Sequence, residues 1–318
     1  MEKKISVVIP TFKRVELLKK CLLSLNAQTF KDSDYEVIVV SDGPDEETQR
    51  LISSFTGDII YLHLEKKKGP AAARNLGWLK ASGLLVAFTD DDCLPASNWL
   101  ELIWSRYQGE KEIAYSGKVI VPISKKPTDY ELNTANLERA DFITANCACS
   151  KEALIRVGGF DERFEQAWRE DSDLHFKFLI HNIPLMKIEA EVVHPVRPAV
   201  WGVSLREQRK GMYNALLYKK YPSLYQSKIA AKAPWNYYAI ILTFAGMLGG
   251  LLTGSILLAK LCFWAWLFFV GMFTIKRLSA TSRRFDHVTE MIVTSIFIPF
   301  LSVYWQFYGS LKYRVLFI

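Results

Sequence analysis

Three consecutive aspartates, Asp90, Asp91 and Asp92, close an apolar run that begins at Leu84 (LLVAFTDDD). Carboxylates this close repel one another and are costly to fold together unless a cation or several donors compensate. Hard oxygen ligands suit Mg²⁺ or Mn²⁺, and two of them with the oxygens of a diphosphate would complete an octahedral shell. A fourth carboxylate, Asp42, ends a second apolar run, Tyr35 to Asp42 (YEVIVVSD). In open α/β sheets ligands bind at the carboxyl ends of strands, so both acidic sites are expected to converge on one ligand. Taken alone the triplet also fits a solvated acidic turn; its place at a strand end argues for the ligand.

Placing those groups requires a repeating frame. Ile5 to Pro10, Tyr35 to Asp42, Ile59 to Leu64 and Leu84 to Asp92 are short runs rich in Val and Ile, read as strands buried on both faces. Between them Val15, Leu18, Leu22 and Leu25 step along one helical face, Pro44 to Phe55 follows a turn, and Pro70 opens a helix that Gly83 ends. Strand and helix alternating three times predict a parallel sheet with right-handed crossovers. Residues 93–230 are less regular. A strand is expected at Ile113 to Pro122, a surface loop at Ser124 to Asp129, a helix at Lys151 to Val157 before Gly158 and Gly159, and a helix with an acidic start at Glu170 to Leu179.

Six motifs in order, Val8-Ile9-Pro10-Thr11, Val40-Ser41-Asp42-Gly43, Ala73-Arg74-Asn75-Leu76-Gly77, the aspartate triplet, Val157-Gly158-Gly159-Phe160-Asp161 and Arg169-Glu170-Asp171, together resemble the family 2 glycosyltransferases over residues 5 to about 200. The resemblance implies an α/β GT-A (nucleotide-diphospho-sugar transferase) fold with a mostly parallel central sheet. It also implies inverting transfer of a sugar from a nucleotide-diphosphate donor with a divalent metal, Mn²⁺ or Mg²⁺. By that resemblance Pro10 and Thr11 pack against the nucleotide, Asp42 accepts from its base or ribose, and Arg74 lies near base and phosphates. Asp90, Asp91 and Asp92 form the DXD-type site, with Asp92 and Asp90 toward the metal, and Asp171 is the general base. His194 is either a further metal ligand or structural, and Glu170 either orients Asp171 or starts its helix. Lys66, Lys67 and Lys68 either attract phosphates or form a solvated face. Trp168 and Asn146 are candidates for sugar contact. Trp201, Arg206, Gln208 and Arg209 lie where members contact diphosphate or lipid, but the Q-x-x-R-W motif of processive synthases is absent, which disfavours extended polymer synthesis.

The 318 residues carry 40 basic and 33 acidic side chains, of which residues 1–232 hold 33 and 31 and residues 233–318 hold 7 and 2. The basic excess sits in the apolar last quarter, which points to membrane lipid as a partner and away from nucleic acid. Asn236 to Ile275 is forty residues with one charge, Lys260, enough for two spans near 236–253 and 256–275. Gly246, Gly250 and Gly254 repeat at the spacing that lets membrane helices approach closely, or are glycines tolerated at a turn. Met291 to Leu311 is a third apolar segment of 21 residues, interrupted by Pro299. Spanning and lying in the interface both fit it, and Lys312 and Arg314 favour the interface because a full span would put them outside. Lys276, Arg277, Arg283 and Arg284 would return to the cytosol after a two-span hairpin. Residues 1–230 are therefore expected as the GT-A domain, facing the cytoplasm at the inner (plasma) membrane, and residues 231–318 as the membrane module. Met1 to Pro10 is too brief an apolar run for a signal peptide. Cys21, Cys93, Cys147, Cys149 and Cys262 are odd in number and lack a C-x-x-C pair, so they read as free thiols.

The expected activity is sugar transfer to a hydroxyl of a lipid-linked or glycan acceptor at the membrane surface. Alternatives are a polyprenyl-phosphate sugar synthase and a catalytically inactive membrane scaffold. A nucleotidyltransferase would want a glycine-rich loop where this chain has Pro10-Thr11-Phe12-Lys13. The absence of G-x-G-x-x-G, G-x-x-x-x-G-K-[ST], H-E-x-x-H and G-x-S-x-G removes the main support for dehydrogenase, P-loop, zinc-protease and α/β-hydrolase readings.

Overall fold

The computed structural model describes residues 3–230 and 233–317. Positions 231 and 232, where the membrane module was expected to begin, lie outside the described residues. The chain runs β1 (Ile5–Thr11), α1 (Val15–Asn26), β2 (Tyr35–Ser41), α2 (Glu46–Ser53), β3 (Ile59–His63), α3 (Pro70–Lys80), β4 (Leu85–Phe88), β5 (Leu94–Pro95), α4 (Trp99–Arg106), β6 (Ala114–Ile120) and α5 (Asp129–Ala135). There follow β7 (Cys147–Ser150), α6 (Lys151–Val157), α7 (Glu170–Ile180), β8 (Leu185–Val193), α8 (Val203–Glu207), α9 (Met212–Lys220), α10 (Pro222–Lys228), α11 (Trp235–Leu252), α12 (Ile256–Leu278) and α13 (Phe285–Tyr313). Contacts divide it into one unit of residues 1–122 and 135–196 and another of 123–134 and 197–318.

The first unit is built on an eight-stranded sheet in the order β3-β2-β1-β4-β7-β6-β8-β5. The expected parallel part is present: β2 and β4 flank β1 and β3 flanks β2, all parallel. Beyond β4 the sheet is mixed, because β7 runs antiparallel to both β4 and β6, β8 is parallel to β6, and β5 is antiparallel to β8. Val and Ile form continuous runs in β1 and β2 because both faces are covered. Ile5, Val7, Ile9, Val37 and Val39 join one apolar cluster with Leu18, Leu22 and Leu25 of α1. Val8, Ile38 and Val40 join the other with Ala71, Ala73 and Trp78 of α3.

Helix α3 carries Arg74, and its seat is set by glycines. Gly69, at φ +98°, starts it ahead of Pro70, and a Cβ there would fall 2.3 Å from the Glu165 carbonyl oxygen. Gly77 lets α3 press on the sheet, where a Cβ would lie 2.4 Å from Val8 Cγ1. Gly69→Ala combines a left-handed backbone with a clash against main chain and is expected to destabilise the fold by at least ~2 kcal/mol. Denaturant unfolding of the detergent-purified variant measures it, and an unchanged midpoint would remove that constraint.

In the second unit α11 and α12 form an antiparallel pair. A Cβ on Gly246 would lie 2.8 Å from Cys262 Sγ, and one on Gly250 2.9 Å from Ala259 Cα, so these two glycines serve close helix approach. Helices α11, α12 and α13 are each long and apolar enough to cross a membrane.

Candidate active site

The carboxyl ends of β1, β2 and β4 are neighbours in the sheet, and the triplet leaves the last of them. The Thr89 hydroxyl donates to the Ala145 carbonyl at 3.0 Å, fixing where the three aspartates begin. Asp91 is buried, accepts from the Thr11 hydroxyl at 2.7 Å and pairs with Arg14 at 3.1 Å. Burial raises its carboxyl to about 6, with Arg14 pulling down and Asp92 pushing up. Pro10 is a buried member of β1 beside Val40.

Asp92 faces a residue a hundred positions away. Because Leu94 of β5 pairs with Val193 of β8, the next residue, His194, is brought against the triplet, and its Nε2 stands 3.7 Å from Asp92 Oδ1. The His194 amide donates to the Ile120 carbonyl at 2.8 Å, while its Nδ1 is buried with no hydrogen-bond partner among the described residues. Asp90, Asp92, Cys93 and His194 each present one ligand atom, all within 4.8 Å of one another. Two carboxylates and an imidazole are a donor set that fits a divalent cation. Cys93 went unrecognised as part of this group in the sequence, where adjacency to the triplet was its one signal; burial raises its thiol well above the ordinary value.

Asp90 points to the other half of the site. Its carboxylate accepts from Arg74 Nη2 at 2.7 Å, and Arg74 Nη1 donates to Glu170 at 3.1 Å. Arg74 is 2% exposed, and the two Nη atoms of its guanidinium bridge the triplet to the first residue of α7. Burial opposes ionisation of Asp90, yet Arg74 brings it below the ordinary carboxylate range. Glu170 behaves oppositely: burial raises it to about 7, Arg74 offsetting part of the rise and the Asp171 charge adding to it. Asp171 accepts from the Ser172 amide at 2.6 Å, and burial raises its carboxyl despite that bond.

The Glu170 shift sets a pH dependence. An unfolded glutamate titrates near ~4.3, and the folded one near 7. The folded chain therefore holds the proton more tightly, and this contribution is full at low pH and lost as pH rises through 7. Glu170→Gln is expected to flatten the fall in stability between pH 5 and 8 by on the order of 1–3 kcal/mol. Unfolding midpoints of variant and parent at both pH values check it, and identical slopes would contradict it.

The other expected residues form separate sets. Asp42 accepts from the Lys68 amide at 2.7 Å and the Gly69 amide at 2.9 Å, which shapes the loop ahead of α3. Lys67 Nζ lies 4.2 Å from the Phe12 ring centroid. Trp168 is half-exposed with the Arg169 guanidinium 4.6 Å from its ring. Asn146 is 1% exposed, donates to the Lys118 and Ala190 carbonyls and accepts from the Trp99 indole. Its amide is fully used in tying β6 to β8, so it is a structural cross-tie and the expectation of sugar contact is corrected.

Comparisons with known proteins bear on the family and the fold. Residues 6–164 match the family model "Glycosyl transferase family 2", and residues 128–305 match "Glycosyl transferase family group 2". The chain is 37% identical over 100 residues to glycosyltransferase AglE of Haloferax volcanii, covering 30% of this chain and 33% of that protein. It is 38% identical over 174 residues to the GalNAc(5)-diNAcBac-PP-undecaprenol beta-1,3-glucosyltransferase of Campylobacter jejuni, covering 51% and 56%. These matches thus span about a third to a half of each relative. Among solved structures, the mannosyltransferase PcManGT of Pyrobaculum calidifontis, in complex with GDP-Man and Mn²⁺, superposes with a TM-score of 0.60 at 18% identity over 96% of this chain and 88% of that one. TarS of S. aureus gives 0.53 at 15% identity over 98% and 55%.

Proposed function

The chain belongs to glycosyl transferase family 2, and from that premise we propose that it is an inverting glycosyltransferase. It moves a sugar from a nucleotide-diphosphate donor to a hydroxyl of a lipid-linked or glycan acceptor at the cytoplasmic face of the inner membrane. The observation that carries this is the Asp90–Arg74–Glu170 bridge, which ties the acidic triplet to the helix start bearing Asp171. One end of the bridge suits the donor diphosphate and the other suits proton removal from the acceptor.

Asp171 takes the proton from the acceptor hydroxyl as that oxygen attacks the anomeric carbon from the face opposite the leaving diphosphate, so a single displacement inverts the centre. Burial makes its carboxylate a stronger base than an exposed one. Asp92, Asp90 and His194 would hold a divalent cation, Cys93 being the soft member of the group. Such an ion, when bound, supplies charge neutralisation on the departing diphosphate. Thr11 and Arg14 hold Asp91 behind the other two carboxylates. Asp42 keeps the loop at Lys68 and Gly69 closed against the nucleotide side, and Pro10 and Thr11 form the floor on which the nucleotide packs. Membrane attachment rests on the apolar helices of residues 231–318, with residues 1–230 as the sugar-transferring part. The undecaprenol-linked substrate in the name of the Campylobacter jejuni relative supports a polyprenyl-linked acceptor.

Asp92→Ala and His194→Ala are expected each to weaken Mn²⁺ binding at least ~10-fold, read as free Mn²⁺ by electron paramagnetic resonance; unchanged affinity in both would place the ion elsewhere. The activity is tested with detergent-purified protein and a panel of uridine, guanosine and thymidine diphosphate sugars, with polyprenyl phosphate or a polyprenyl-diphosphate-linked sugar added. Nucleoside diphosphate release from one donor, abolished in Asp92→Ala, is the expected result. No release and no donor binding by calorimetry across the panel would overturn the proposal.

A further inference from the structure

We infer that α13 lies in the plane of the membrane surface, facing lipid along one side, and does not cross the bilayer. The inference rests on the membrane attachment proposed above and concerns the geometry of that attachment. Length and apolar composition alone qualify α13 to span; its neighbours do not.

A charged segment accompanies α13 for most of its length. The Gly202 amide donates to Glu290 at 2.6 Å. Arg277 links the Ser204 hydroxyl, at 3.3 Å, to those of Thr294 and Ser295, at 2.7 and 3.0 Å. The Arg209 guanidinium lies 5.6 Å from the Trp305 ring, a Cβ on Gly309 would fall 2.4 Å from the Met212 carbonyl oxygen, and Lys219 Nζ donates to the Tyr313 carbonyl at 2.7 Å. From Glu290 to Tyr313 is about 34 Å of helix, as long as the hydrocarbon core is thick, roughly 30 Å. The companion stretch 203–220 carries Arg206, Glu207, Arg209, Lys210, Lys219 and Lys220. A spanning α13 would draw those charges through hydrocarbon, whereas an in-plane α13 leaves them among headgroups and water.

The faces of α13 complete the argument. His287, Met291, Thr294, Ser295, Ile298 and Gly309 share one side at 100° per residue and are buried. Ile292, Phe297, Tyr304, Phe307, Tyr308 and Leu311 share the opposite side and are exposed. That aromatic stripe suits the boundary between headgroups and acyl chains. Arg283 and Arg284 precede the helix and Lys312 and Arg314 end it, and both basic ends meet an anionic cytoplasmic leaflet only when they lie on the same side.

The test uses full-length protein in vesicles of phosphatidylcholine with phosphatidylglycerol. Nitroxide labels are placed singly at Phe297→Cys, Tyr304→Cys and Leu311→Cys in a Cys262→Ala background, the other four cysteines being buried. Depth is read from collisions with oxygen and with a soluble nickel chelate, and control labels at Leu242→Cys and Leu267→Cys, exposed near the middles of α11 and α12, report the hairpin. Equal shallow depth at the three α13 sites with deep controls is expected. Deep controls with α13 sites stepping by about 10 Å per seven residues would overturn the in-plane placement. Water-exposed controls would overturn it together with membrane attachment, while leaving sugar transfer untouched.

Discussion

Asp171→Asn is expected to lower the rate of sugar transfer by about 10²–10⁴-fold while donor affinity is retained. The amide preserves the size of the side chain and its bond from the Ser172 amide, but it offers no lone pair basic enough to take the acceptor proton. Loss should therefore fall on kcat and spare donor binding, which single-turnover product formation and calorimetry separate. The parent rate should rise with pH through the raised Asp171 carboxyl, since the base works only when ionised, and that limb should vanish in the variant. An Asp171→Asn protein that transfers at the parent rate would remove Asp171 from the reaction.

Arg74→Met is expected to be the most damaging single change to the fold of the first unit, costing about 3–5 kcal/mol. It leaves Asp90 and Glu170 facing each other's half of the site without their shared cation. Glu170, already raised to about 7, can shed its charge by taking a proton, whereas Asp90, which Arg74 holds ionised, loses most when that partner is removed. The double variant Arg74→Met with Glu170→Gln should recover part of the loss, because one stranded carboxylate is then neutral. Denaturant unfolding of parent, single and double variants measures this. A single variant as stable as the parent would show that the bridge is electrostatically idle.

The two variants probe opposite ends of one connection, and their differing readouts keep chemistry and architecture apart. Asp171→Asn should leave stability largely intact, and Arg74→Met should reduce activity through a loosened site.

What the sequence alone determined is whatever periodicity and local chemistry encode. Val- and Ile-rich runs ending in Asp42 and in Asp90–Asp92 marked the parallel strands and the end where ligands gather, because both-faces burial and strand-end placement are local properties. Gly158 and Gly159 stopped α6, and forty nearly uncharged residues announced the α11–α12 hairpin. Less was legible where a strand is short or bound by distant partners. Strand β7, Cys147–Ser150, is four residues without Val or Ile. In β8 the alternation of buried Ile188, Ala190 and Val192 with outward Lys187, Glu189 and Glu191 is a period-two signal legible in the sequence.

Tertiary structure alone decided who meets whom. The β5–β8 ladder set His194 against Asp92 across a hundred residues, and the close seat of α3 buried Arg74 between Asp90 and Glu170. It turned Asn146 inward to tie strands together. Apolar composition gave α13 the look of a span, yet Gly202, Arg209, Met212 and Lys219 alongside it fix its surroundings. Composition reports how much of a segment prefers to leave water; the charges packed beside it, arriving from elsewhere in the chain, decide how far it can go.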